Sequence, residues 1–101
     1  MWVGPEDHKA VGECLARTRK AMKVSQDELA DRLRKPQSFV SAYERGQRRV
    51  DLMEFFVIVA AIGGDANKVF AEISGSAAAV VKRTLGATRS RSALVTAIRT
   101  K

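Results

Sequence analysis

The stretch SQDELADRLRKPQSFVSAYERGQRR, residues 25–49, decides the fold. Ser25 and Glu28 have the spacing of a capping box: the hydroxyl accepts a first-turn N–H, and the glutamate reaches back to the serine's own N–H. Val24 before it and Leu29 after it stand where a hydrophobic staple would. A short helix is expected from about Gln26 to Leu33, with Leu29, Ala30 and Leu33 turned inward. Arg34-Lys35 then makes a tight turn. Pro36 suits the first position of a third helix ending near Arg45, and Gly46 stops it. Two short helices across such a turn, with small Ala30 where a neighbour must come close, have helix-turn-helix geometry.

The second of these helices is amphipathic in a particular way. With Val40 inward, Tyr43 and Glu44 fall near the core side, while Ser38, Ala42 and Arg45 fall opposite and Ser41 lies on the flank. Gln37 sits in the first turn, at the tip. The outward face is small and polar, shaped to enter a groove. Around it the charge is uneven: six basic residues stand between Arg32 and Arg49, against Glu44 alone. The whole chain carries +7, but residues 1–72 hold 12 basic and 11 acidic side chains, and residues 73–101 hold six basic and no acidic ones. The body is thus almost neutral, and the field over residues 32–49 is a local one that attracts phosphate.

Working outward, Gly4-Pro5-Glu6-Asp7 reads as a helix start, and Val11, Leu15, Thr18 and Met22 recur on one helical face. Cys14 borders that face and reads as a small buried hydrophobe rather than a reactive thiol. Asp51 and Glu54 repeat the capping box, with Val50 and Phe55 as staple. Helix four should continue to about Ile62 and, being nearly all apolar, should be the most buried element. Gly63-Gly64 ends it. A fifth helix runs from Asp65 to about Ile73 through Val69 and Phe70. No stretch shows strand alternation, so the expected fold is all-α: a five-helix domain over residues 5–73 with a basic C-terminal extension over 74–101. Ser74-Gly75-Ser76 resembles a linker, followed by weak helical patches at Ala77–Leu85 and Ser92–Ile98. Two roles compete for this extension: a mobile basic arm, favoured for its small and polar residues, or helices packed on the body.

At 101 residues the chain is a single domain. One cysteine and one histidine exclude an internal disulfide and make metal chemistry unexpected. No apolar run approaches the roughly 18–20 residues that cross a bilayer. The opening MWVGPEDHKA is not a secretory pattern, so a cytoplasmic location is expected.

From Val11 to about Ile73 the sequence resembles the Cro/C1-type helix-turn-helix family, also called the XRE family, of phage and bacterial repressors. The residues that carry the likeness are Arg19, Ser25-Gln26, Glu28-Leu29-Ala30, Gln37-Ser38, Val40-Ser41, Tyr43-Glu44-Arg45-Gly46 and Arg48-Arg49. The resemblance implies a lambda-repressor-like fold and double-stranded DNA as partner, in a bacterial or phage setting at the nucleoid. It implies that Gln26 contacts a backbone phosphate and braces Gln37, and that Gln37 pairs with an adenine edge. Ser38 and Ser41 then donate to bases or phosphates. Arg45, Gln47, Arg48 and Arg49 follow the phosphate backbone, and the turn residues Arg34 and Lys35 lie on the same side. Arg34 and Lys23 stand where family members often have glycine, at turn positions suited to positive φ, each costing about 1 kcal/mol in strain. Ala42 leaves one base-reading group fewer than a longer polar residue would. Glu44 and Arg19, both inward, read as a structural ion pair joining helices one and three. Phe39 lies on a flank, where core packing competes with contact to a thymine methyl.

The leading functional expectation is a sequence-specific transcriptional repressor bound as a homodimer to a two-half-site operator. Phe70 and Ile73, with the end of helix four, are the expected dimer surface. The alternative is the antitoxin of a toxin–antitoxin pair, which represses its own promoter and masks a toxin partner protein. An enzyme is not expected, because no nucleophile–base set, metal spacing or glycine-rich phosphate loop is present. No cofactor is expected.

Overall fold

A computed structural model describes residues 2–86. These fold into α1 (Pro5–Ala21), α2 (Gln26–Leu33), α3 (Gln37–Glu44), α4 (Leu52–Ile62) and α5 (Ala66–Leu85), with no strand among the described residues. The lambda-repressor-like, all-α expectation holds. None of these helices is long and apolar enough to cross a membrane.

Local chemistry sets the helix starts. At α1 the Gly4 N–H donates to the Asp7 carboxylate at 2.8 Å, and Pro5 takes the first helical position. At α2 the Glu28 N–H donates to Ser25 Oγ at 3.0 Å while the Ser25 N–H donates to Glu28 Oε1 at 2.9 Å. The Asp51–Glu54 box at α4 closes likewise, at 2.7 and 3.0 Å. Pro36 is a correction of one position: its extended backbone (φ −68°, ψ 155°) makes it the cap of α3, so the helix begins at Gln37. Arg34 does adopt the left-handed conformation (φ 57°) that closes α2, and Lys23 does so after α1 (φ 59°).

The core is built by Leu15 from α1, Leu29 from α2, Val40 and Tyr43 from α3, Phe55, Ile58, Val59 and Ile62 from α4, and Val69 from α5. Burying each such side chain is worth about 1.5–3 kcal/mol. α1 crosses α3 at Gly12, where any Cβ would be driven into the Tyr43 carbonyl oxygen. Only glycine permits that approach.

Three expectations change. Met22 is exposed, because α1 ends at Ala21 and Met22 already belongs to the turn. α4 is not the most buried element: Leu52, Met53, Phe56 and Val57 all face solvent on the side opposite its core stripe. α5 does not stop near Ile73 but runs unbroken through Ser74-Gly75-Ser76 to Leu85. A mid-helix glycine costs about 1 kcal/mol, and packing outweighs it. Ala77, Val80 and Val81 lie against Val3, Ala10 and Val11, and Arg83 clamps Asp7 at 2.8 Å. Residues 74–85 therefore form a helix on the body rather than a free arm. The Ser92–Ile98 patch, with the rest of the extension, lies outside the described residues.

Candidate nucleic-acid interface

The interface begins in the core. Arg19 donates from Nε to Glu44 Oε2 at 2.7 Å, from Nη2 to Glu44 Oε1 at 3.1 Å, and from Nη1 to the Val24 carbonyl at 2.9 Å. The side chains are 9% and 6% exposed, so the expected ion pair between α1 and α3 is a buried one. Glu44 Oε1 also accepts from Gln26 Nε2 at 2.8 Å. Gln26 Oε1 in turn accepts from Gln37 Nε2, at the exposed tip of α3.

The direction of these bonds has a chemical cause. An ionised carboxylate can only accept, so Glu44 turns the amide nitrogen of Gln26 inward and its oxygen outward. That oxygen selects the NH₂ end of Gln37. Among the described residues nothing takes up Gln37's own Oε1 or its second amide N–H, the acceptor–donor pair that matches N6 and N7 of adenine. A buried charge thus sets the polarity of an exposed side chain.

Around this tip Ser38 is exposed, and Ser41 and Ala42 are half-buried on the same helix. Arg34 and Lys35 on the turn are exposed, as are Arg45, Gln47 and Arg49 beyond α3. Arg45 Nη2 donates to Gln47 Oε1 at 3.2 Å, a solvent-facing contact. Arg48 differs from its neighbours. Its guanidinium forms a two-point pair with Glu54, at 3.1 and 2.8 Å, and lies 4.6 Å from the Phe39 ring centre. It ties the loop after α3 to the start of α4. The Arg48 hydrogen bonds, and then the Asp51 N–H, hold the Glu54 carboxyl down to about 2. Phe39 is half-buried and packs edge-on against Tyr43 at 5.7 Å, in line with core packing.

Two cations outside the expected set of DNA contacts border this surface. Arg17 and Lys20 line a cleft with Gln26, Ser41 and Arg45. Their spacing with Glu13 along one face of α1 was the available signal. Cys14 is buried and donates to Glu72 at 3.0 Å; burial pushes its thiol up to about 11, which makes it inert. Among the described residues no cluster of His, Cys, Asp and Glu could hold a metal.

The fold and this surface define a DNA-binding transcription regulator of the helix-turn-helix class. A family model described as helix-turn-helix matches residues 15–69, and the chain belongs to that family, in its Cro/C1-type (XRE) branch. Among solved structures, the clp gene regulator ClgR from C. glutamicum is similar at 28% identity and a TM-score of 0.64, over 69% of this chain and 91% of that one. No curated protein sequence matches.

Proposed function

We propose that this regulator is a repressor that reads its operator through Gln37 and binds two half-sites as a homodimer. The observation that supports it is the Arg19–Glu44–Gln26–Gln37 relay, which presents an oriented amide at the tip of α3. Ser38 and Ser41 supply further donors on that helix. Arg34, Lys35, Arg45, Gln47 and Arg49 hold the backbone, and Gln26 touches phosphate at the mouth of the groove. Repression then follows from occupying a promoter.

One short helix covers only a few base pairs, so two copies are needed, with half-sites about 34–36 Å apart. The exposed apolar face of α4, Leu52, Met53, Phe56 and Val57, together with Phe70 on α5, supports self-association. Ile73, expected on that surface, instead packs against the core. An antitoxin would keep the same DNA contacts and put a toxin on this face, so sedimentation of the purified chain separates the two.

The test of base reading is Gln37→Ala, measured on a site selected from random duplexes and on unselected DNA. The loss should be about 1–3 kcal/mol on the selected site and small on the other. Equal losses on both would reduce Gln37 to a backbone contact.

A further inference from the structure

We infer that the cleft between α1 and the helix-turn-helix is a second seat for the DNA backbone, with Arg17 and Lys20 as its phosphate ligands. The inference rests on the DNA-binding reading above and extends the contact surface onto α1. The cleft has a volume of about 580 Å³ and is walled by Arg17 and Lys20 from α1, Gln26 from α2, Ser41 from α3 and Arg45 just beyond α3. It is continuous with the reading tip, because Gln26 lines it and also bonds Gln37.

Charge favours a polyanion there. Of the two carboxylates at the wall, Glu44 is neutralised by its two-point pair with Arg19, leaving Glu13 as the opposing one. Three cations, Arg17, Lys20 and Arg45, face it, a net of +2. Arg17 and Lys20 are exposed and form no ion pair among the described residues, although Arg17 also reaches Cys14 and borders Glu72 on the α5 side of α1. The Gln26 amide and Ser41 hydroxyl add neutral donors, the mixture found around phosphate oxygens. The space far exceeds one phosphate and opens to solvent, which suits a length of sugar–phosphate strand passing between α1 and α3.

Phosphate contacts carry no sequence, and this separates the cleft from Gln37. Arg17→Ala and Lys20→Ala should each weaken the selected and unselected duplexes by the same factor. Each should also flatten the plot of log affinity against log salt by about 0.9. Lys82→Ala removes the same charge from the far part of α5 and should leave the slope near wild type. Glu13→Gln should act in the opposite sense, tightening both duplexes. Circular dichroism of each variant should match wild type, since the substituted side chains are exposed. Wild-type slopes in both the Arg17 and Lys20 variants, with Gln37→Ala still losing selectivity, would overturn the cleft assignment alone. A wild-type chain that shows no salt-dependent binding to any duplex would overturn the DNA reading and the cleft with it.

Discussion

Replacing Glu44 by alanine tests how the core and the reading tip are joined. Arg19 loses two of its three hydrogen bonds and keeps only the Val24 carbonyl, on a side chain 9% exposed. An unpaired charge at such depth costs about 3–5 kcal/mol. A domain has only about 5–15 kcal/mol of stability to lose. At about 4–8 °C per kcal/mol for this size, the melting temperature should fall by roughly 12–40 °C. Calorimetry or circular dichroism reads that loss. Affinity for the selected site, measured at a temperature where the variant remains folded, reads the second consequence: Gln26 loses its acceptor and no longer holds the Gln37 amide in one orientation. A double variant, Arg19→Met with Glu44→Leu, separates the two effects. Replacing both partners by apolar groups of similar volume is often close to neutral for stability. The double variant should therefore melt near wild type yet lose discrimination between the selected site and random DNA. A Glu44→Ala chain melting within a few degrees of wild type would refute the buried pair. Full discrimination in the double variant would refute the relay.

Gly12→Ala places a methyl against the Tyr43 backbone oxygen, which no rotamer change can relieve, and should destabilise the fold by about 1–3 kcal/mol in a denaturant titration. An unchanged midpoint would mean that α1 and α3 can separate freely. Acid should also weaken the fold. The Arg83 hydrogen bond and then the Gly4 N–H hold Asp7 at about 2 against an ordinary 3.8, and Glu54 lies at about 2 against 4.5. Because the folded-state values are the depressed ones, this contribution is complete above the unfolded values. It is lost as pH falls from about 4.5 towards 2, since the unfolded carboxylates take up protons first. The guanidinium of each pair is about two-fifths exposed, so the effect is modest, and Asp7→Asn should remove its share of the slope in melts below pH 4. Among the cations after α3, Arg45→Ala should flatten the salt dependence of DNA binding by about one unit. Arg48→Ala should flatten it less, because Glu54 already holds that guanidinium; equal slopes would show that Arg48 leaves Glu54 for phosphate.

The elements of this fold were legible in the sequence because their signals are local. A capping box needs only residues three apart, and both Ser25–Glu28 and Asp51–Glu54 closed as read. The partners Arg19 and Glu44, and the bracing of Gln37 by Gln26, came through the family resemblance and are present as contacts. Tertiary structure decided what depends on residues far apart in the chain. Ser74-Gly75-Ser76 has the composition of a linker, yet it is helical, because the helix beyond it finds α1 to pack on, with Arg83 meeting Asp7 across 76 positions. The apolar run of α4 could not reveal which of its sides the core would cover. Arg48 could not be told from Arg45 and Arg49 until Glu54 was brought beside it. A basic cluster announces attraction to phosphate from composition alone. Which of its members remain free to act on that attraction is settled by where the fold sets the acids.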